Sequence, residues 1–327
     1  MSLSLVTGGA GFVGGRLVRA LQARGERVRV IDLNPVADVE AVMASIEDVS
    51  GVRAAMAGAD VVYHLAGDAQ LWARDAGRFE RINHQGTRAI LTAAVEAGVR
   101  RFVHCSSLTT LVGRSAPIGP STADETTEIS PQEAFSGYPR SKALAEQAVR
   151  EAVARGLDAV IAIPTEPLGA GDVSLTPPSR MIVDLANGRM PATIDCLLNF
   201  VAVDSLADGL IAAATRGKRG QRYVLGGENV SMARLLAEIE RQTGKTMPRA
   251  TLPYAVALVA GAIDTGVVAR ITGNRPAAPL TGVRLAGRRV SFSSLKAEIE
   301  LGWKSAPFEQ ALGDALRWFR GEGLIAF

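Results

Sequence analysis

Cysteine is nearly absent: Cys105 and Cys196 are the only two in 327 residues, and they form no pairing or metal-binding pattern. That excludes a disulfide scaffold and fits a reducing compartment, so a cytoplasmic location is expected. Histidine is almost as scarce. His64, His84 and His104 are the only three, and none stands at metal-ligand spacing from another His, Cys or acid. No metal is expected, and His64 and His104 read as packed, hydrogen-bonded residues of central strands. Charge of one sign is missing too. A net charge of +3, with no basic run interleaved with aromatics, argues against a nucleic-acid partner. The densest basic cluster, Arg284, Arg288 and Arg289, reads as a solvated rim. No apolar run reaches the ~18 residues needed to span a bilayer. The stretch 254–269 comes nearest, but Asp264 interrupts it, and it is expected to cover the core of a smaller domain. No signal peptide is expected, because the first motif begins within the first ten residues.

What is present begins with Val6-Thr7-Gly8-Gly9-Ala10-Gly11-Phe12-Val13-Gly14. It follows the apolar run Leu3-Ser4-Leu5-Val6 and precedes the helical pattern of Leu17, Val18 and Leu21. Strand, glycine turn and helix in that order make a phosphate-binding device. Gly8 permits the tight turn, Gly11 lets backbone approach a pyrophosphate, and Gly14 lets the helix pack on the strand. Gly8, Gly11, Phe12 and Val13 are therefore candidate cofactor contacts. A second strand, Val28-Arg29-Val30-Ile31-Asp32, ends in an acid at the distance expected for a ribose ligand. Asp32 can accept from both adenosine ribose hydroxyls and would repel a 2′-phosphate. NAD is thus expected, with NADP possible and less favoured.

Strand-like and helix-like segments alternate through the first half. Strands are predicted at 3–7, 27–31, 60–65, 100–105 and 158–163, and helices near 12–24, 50–57, 79–97 and 137–155. Such alternation implies an α/β fold, a Rossmann-type doubly wound parallel sheet. After residue 164 proline and glycine crowd the chain. Residues 199–203 read as a strand returning to the sheet, followed by a helix at 204–215, a short strand at 223–225 and a helix at 231–243. Residues 1–164 plus 198–226 are expected to form an NAD-binding domain. Residues 165–197 plus 227–327 would form a smaller, mostly helical substrate-binding cap.

The spacing Thr-Gly-x-x-Gly-x-x-Gly resembles the short-chain dehydrogenase/reductase superfamily, and a second signature is present downstream. Tyr138-Pro139-Arg140-Ser141-Lys142 places Tyr and Lys four residues apart at a predicted helix start, and Arg101-Phe102-Val103-His104-Cys105-Ser106-Ser107 reads as a strand ending in two hydroxyls. The chain is similar to the extended branch, the NAD-dependent epimerase/dehydratase-like enzymes. Within it the likeness is nearest to hopanoid-associated sugar epimerases, dihydroflavonol reductases and 3β-hydroxysteroid dehydrogenases. The resemblance implies that Leu65, Ala66 and Gly67 line the cofactor, that Pro164 and Thr165 border the nicotinamide, and that Ile46 packs on adenine. It also implies a homodimer through the helices near 79–97 and 137–155. Asn83-His84-Gln85-Gly86-Thr87 and Val203-Asp204 match further segments of the branch. Two departures stand out. Ser45 falls where relatives usually carry an Asp. Leu198-Asn199-Phe200 stands where nucleotide-sugar enzymes carry an Arg for the diphosphate.

Residues four apart share one helix face, so Tyr138 and Lys142 can serve one site. A phenol titrates near ~10, and a neighbouring ammonium favours its ionised form. The triad Ser107, Tyr138 and Lys142 is therefore expected to run hydride chemistry at a secondary alcohol or ketone. In that scheme Tyr138 is acid and base, Lys142 holds the ribose, and Ser107 hydrogen-bonds the reacting oxygen. Ser106 and Thr109 are substitutes for Ser107. Trp72, Thr109, Asn199 and Arg284 are candidate substrate contacts. The small-molecule substrate is expected to be moderately apolar, because the diphosphate-binding Arg is missing. The alternative is a nucleotide-sugar epimerase or dehydratase with tightly bound NAD.

Overall fold

The computed structural model describes residues 2–326. Seven parallel strands form the main sheet: β1 (Leu3–Thr7), β2 (Arg27–Asp32), β3 (Glu40–Met43), β4 (Val61–His64), β5 (Arg101–Cys105), β6 (Ala159–Pro164) and β7 (Arg222–Leu225). Their order is β3-β2-β1-β4-β5-β6-β7, so the chain winds outward in both directions from β1. The crevice where winding reverses lies beyond the carboxyl ends of β1 and β4, the usual ligand position in such sheets. Alternation along β1 sends Leu5 into one core layer and Val6 into the other. Helices Val49–Met56, Thr87–Glu96 and Gly137–Ala154 cover the Leu5 face. Helices Phe12–Ala23 and Val203–Arg216 cover the Val6 face. Leu17 and Leu21, one turn apart on Phe12–Ala23, are fully buried against it. Truncating either to Ala would cost about 2–5 kcal/mol.

The predicted strands and helices of the first half all form within a few residues of their expected bounds. The edge strand β3 was not foreseen, because Glu40-Ala41-Val42-Met43 is mostly exposed and shows no clean alternation. The strand expected at 199–203 does form, as Leu197–Ala202, but it does not join the main sheet. It pairs in parallel with Glu166–Leu168 and antiparallel with Glu228–Ser231. The Asn199 side chain fixes that pairing: its Nδ2 donates to Gly227 O at 3.2 Å, and its Oδ1 accepts from Gly227 N at 2.9 Å. The edge slot beside β6 belongs to the fully buried β7. A third core, with Leu168, Ile182, Phe200, Leu235, Leu312 and Phe319 among its members, builds the remaining layer.

The expectation for the apolar stretch near residue 254 needs correction. Tyr254–Thr272 is one continuous 19-residue helix, long and apolar enough by length and composition to cross a membrane. It does not cover a core. Only Ala257, Gly261 and Ala269 are buried, and Val256, Val259, Ile263, Val267 and Ile271 stand at least half exposed. Periodicity cannot distinguish a core-facing apolar stripe from an outward one, because both repeat every three to four residues.

Candidate active site

The glycine turn meets the requirements of a phosphate loop. Gly8 has φ +75°, and a Cβ there would lie 2.8 Å from the Ala66 backbone nitrogen. At Gly14 a Cβ would fall 2.0 Å from Gly8 O, so the helix can lie against the turn only with glycine there. Gly11 caps Phe12–Ala23, and no side chain takes the first-turn amides. Those N–H groups, at the positive end of the helix dipole, suit an anion. The neighbouring loop is held rigidly. Thr7 Oγ1 accepts from Leu65 N at 3.2 Å and Ala66 N at 3.0 Å, and it contacts His64 Nδ1 at 2.8 Å. On the other side of the ring, His64 Nε2 meets Thr87 Oγ1 at 2.9 Å, and that hydroxyl donates to Asn83 O. This network assigns the proton to Nε2, and burial pushes the imidazole down to about 3, so it stays neutral. Asn83, in a π-helical turn over Glu80–Gly86, accepts from Asp68 N at 2.7 Å and donates to Ser141 Oγ at 3.0 Å. It thereby ties the loop after β4 to the helix that carries Tyr138.

Asp32 ends β2. Its carboxylate accepts from Ala10 N at 3.0 Å and Asn34 N at 2.9 Å, which locks it beside the glycine turn. Two arginines near it in sequence are engaged elsewhere. Arg29 points to the opposite side, where it binds Glu40, Ala55 O and Ala57 O. Arg16 donates to Ala170 O and pairs with Asp204 at 3.4 Å. Ser45 accepts from Glu47 N in a tight turn, and the buried Ile46 packs where a Cβ on Gly86 would otherwise reach.

Tyr138 and Lys142 sit in the first turns of Gly137–Ala154, both buried and facing the end of β5. Pro139 fits there because first-turn N–H groups lack helical acceptors. Lys142 Nζ donates to Cys105 O at 2.7 Å, and burial lowers its pKa. Burial raises the Tyr138 phenol to about 12, and a hydrogen bond from Ser107 opposes that rise. Thr109 Oγ1 donates to Ser107 Oγ at 3.1 Å, which leaves the Ser107 proton free for the phenol. Ser106 is not a substitute for Ser107. Its hydroxyl donates to the buried Glu146, which Thr110 Oγ1 and Arg222 also bind at 2.6 and 3.1 Å. Pro164 closes β6, and the buried Thr165 hydroxyl has no partner among the described residues. The glycine cradle, the uncapped helix start and this open hydroxyl together fit a bound dinucleotide.

Comparison with known proteins agrees with this architecture. Residues 4–226 match the NAD dependent epimerase/dehydratase family. The chain belongs to that family. It is 33% identical to sterol demethylase protein B of Methylococcus capsulatus, over 98% of this chain and 99% of the relative. It is 30% identical, over 96% of this chain and 95% of the other, to a 4-hydroxy-2-methyl-3-oxo-4-farnesyl-3,4-dihydroquinoline-1-oxide ketoreductase of Stigmatella aurantiaca. The crystal structure of gox2253 superposes with a TM-score of 0.86 at 34% identity, each chain covered in full.

Gly8 meets the loop after β4 at Ala66, Asp32 holds Ala10, and Tyr138, Ser107 and Lys142 lie at the end of β5, but the candidate substrate residues scatter. Asn199 is 1% exposed and engaged with Gly227 and Asn229. Arg284 reaches Phe135 O at 3.5 Å, and Arg288 lies over the Phe135 ring at 5.4 Å, so both grip a loop of the site wall. Trp72 is half-buried on the segment whose Leu71 touches Gly282. Two acids went unforeseen. Asp68, paired with Arg78 at 2.7 Å, follows directly on the predicted cofactor-lining residues and raises the Tyr138 pKa. Glu166, next to Thr165, is pushed up to about 8 by burial, and its carboxyl accepts from Asn199 N. A charge directly after an apolar strand was the available signal for Glu166.

Proposed function

We propose that this chain transfers hydride between NAD and a secondary alcohol or ketone of a moderately apolar substrate. The observation that carries this reading is the buried cluster of Tyr138, Ser107 and Lys142 at the carboxyl end of β5, beside the glycine cradle. A bound nicotinamide supplies the hydride donor or acceptor. Tyr138 Oη takes the proton from the substrate hydroxyl in oxidation and returns it to the carbonyl oxygen in reduction. Ser107, oriented by Thr109, lowers the phenol's pKa before substrate binds and would turn its one proton to the reacting oxygen when it does. Lys142, which donates to Cys105 O, would hold the ribose hydroxyls of the bound cofactor.

The cofactor contacts of this reading are Gly8, Gly11, Phe12, Val13, Asp32, Ser45, Ile46, Leu65, Ala66, Gly67, Pro164 and Thr165. NAD rather than NADP is favoured because Asp32 stands at the ribose position and Arg16 and Arg29 are engaged elsewhere. The apolar substrate class is supported by the absence of an Arg at Leu198-Asn199-Phe200 and by Arg284 and Arg288, both of which bind backbone carbonyls. The two named relatives, a sterol demethylase protein and a ketoreductase named for a farnesylated dihydroquinoline oxide, agree with it. Residues 165–197 plus 227–327 then serve as the substrate cap. Tyr138→Phe should keep NAD binding and lower turnover by roughly 10²–10⁴. Turnover at the wild-type rate would remove Tyr138 from the mechanism. Tight NAD retained on purification, with no turnover of added NAD on a panel of sterol, phenylpropanoid and simple alcohols, would favour the epimerase alternative.

A further inference from the structure

The helix Tyr254–Thr272 presents a continuous apolar stripe to the outside. Val256, Val259, Ile263, Val267 and Ile271 recur at three- and four-residue spacing and are 50%, 61%, 53%, 51% and 80% exposed. Its other face is fastened to the segment behind it. Asp264 accepts from Ala278 N and Thr265 from Leu280 N, both at 2.9 Å, and Gly261 lies against Ala278 and Val283. The helix thus offers one face and cannot be surrounded by lipid. The charge around it is one-sided. Between Lys245 and Arg289 the chain carries Lys245, Arg249, Arg270, Arg275, Arg284, Arg288 and Arg289 against a single acid, Asp264. That acid is the one turned inward. Arg270 is exposed with no partner among the described residues, and the Arg74 guanidinium lies against Gly273 at the same end of the helix. Arg249, near the other end, is exposed but paired with Glu240 at 2.9 Å, and Arg289 is paired with Asp195 at 3.1 Å, so among the described residues Arg270 and Arg74 carry the free charge.

We infer that this face docks in the plane of an anionic phospholipid bilayer. The apolar stripe enters the headgroup boundary, and Arg270 and Arg74 meet lipid phosphates. The segment behind the helix adjoins the candidate site, since Gly282 touches Leu71 and Arg284 reaches Phe135 O. Docking there would set the substrate entrance against the membrane, so that an apolar substrate is taken from lipid. That last step rests on the proposed apolar substrate; the docking itself does not.

The test is co-sedimentation of the purified full chain with vesicles of phosphatidylcholine alone and of phosphatidylcholine with one-quarter phosphatidylglycerol, without substrate. Binding is expected to the anionic vesicles, at least fivefold stronger than to neutral ones and weakened by 0.5 M salt. Val259→Asp with Ile263→Asp should reduce it tenfold or more, and the milder Val259→Ser with Ile263→Ser severalfold. Arg270→Glu should reduce it on anionic vesicles only. All variants should keep the wild-type Tm and NAD affinity, because these side chains stand outside the packed layers. Absence of vesicle binding, or equal binding to both vesicle types, would overturn the inference. So would a concentration-dependent dimer that the double Asp variant splits, which would assign the face to a second copy. Failure of the alcohol panel alongside intact vesicle binding would count against the proposed reaction and leave the docking standing.

Discussion

His104 offers a sharp test of how the centre of the sheet is balanced. Its ring is 1% exposed, 5.6 Å from the His64 ring, and neither nitrogen reaches a partner among the described residues. The packed environment expected for it is present; the hydrogen bond is not. His104→Leu keeps a side chain of similar volume and removes both orphaned atoms. An unsatisfied buried polar group costs about 1–3 kcal/mol, and a nearly volume-conserving core exchange costs under about 1.5 kcal/mol. The variant should therefore match the wild type at pH 8 or exceed it by about 1 kcal/mol. The pH dependence is more decisive. Burial, aided by the charge of Lys142, drives the folded His104 well below 6.5. Below pH 6.5 the unfolded chain binds a proton that the folded chain refuses, so stability is lost as pH falls. For one such His the loss between pH 8 and pH 5 is about 2 kcal/mol. His64, held down to about 3, adds a similar loss. Glu166, raised to about 8, acts in the opposite sense over this window, so the net change in the wild type is smaller. Urea unfolding followed by tryptophan fluorescence at both pH values should show His104→Leu shifted by about 2 kcal/mol toward stability at pH 5 relative to the wild type. Destabilisation beyond about 2 kcal/mol at pH 8 would refute the reasoning, because the nitrogens would then have a partner such as an internal water. An unchanged pH dependence would refute it equally.

Ser107→Ala removes the hydrogen bond that holds the Tyr138 phenol down, so the phenol's pKa should rise further. The pH profile of kcat for alcohol oxidation should then move to higher pH by on the order of one unit, comparable to one hydrogen bond; an unmoved profile would separate Ser107 from the phenol. Asp32→Ser removes a charged acceptor at the ribose position. NAD should bind roughly ten- to a hundredfold more weakly and NADP more tightly, read by titration calorimetry; tighter NADP than NAD binding in the unaltered protein would displace Asp32 from that role. Light scattering should find a homodimer, and a monomer at working concentration would remove the interface suggested for 79–97 and 137–155.

The cofactor half of the molecule could be read from the chain because its constraints are local. A Cβ cannot fit between Gly14 and Gly8 O, so a glycine must stand at a fixed distance after the strand. Tyr138 and Lys142 must share a face, so they stand four apart. Asp32 must end the strand beside β1, so it falls a strand and a helix later. Each rule joins residues close in sequence and leaves a spacing. The relay from Thr7 through His64 and Thr87 to Asn83 joins residues far apart in sequence, and only the register that sets Thr7 opposite His64 reveals it. Asp68 and Glu166 escaped notice for the same reason: an acid acquires meaning from what the fold buries beside it.

The second half obscures its organisation for a different physical reason. Leu197–Ala202 and Arg222–Leu225 are equally apolar, and either could have closed the main sheet. The first pairs along its length with Glu166–Leu168 and Glu228–Ser231, and the Asn199 amide adds hydrogen bonds to the turn at Gly227. Hydrophobic patterning says that a segment will be covered, not by which partner. The helix at Tyr254–Thr272 carries the same ambiguity further, since its pattern is that of a core helix and its surroundings are not. What marks it as outward-facing is the choice of polar groups. Asp264 and Thr265 fasten the inner face, and the only acid between Lys245 and Arg289 is thereby removed from the surface. A helix built to cover a core would gain nothing from an outer face that carries no acid of its own and ends in the exposed Arg270. A helix that meets anionic lipid requires it, and for that reason the charge pattern rather than the apolar pattern decides how this segment is read.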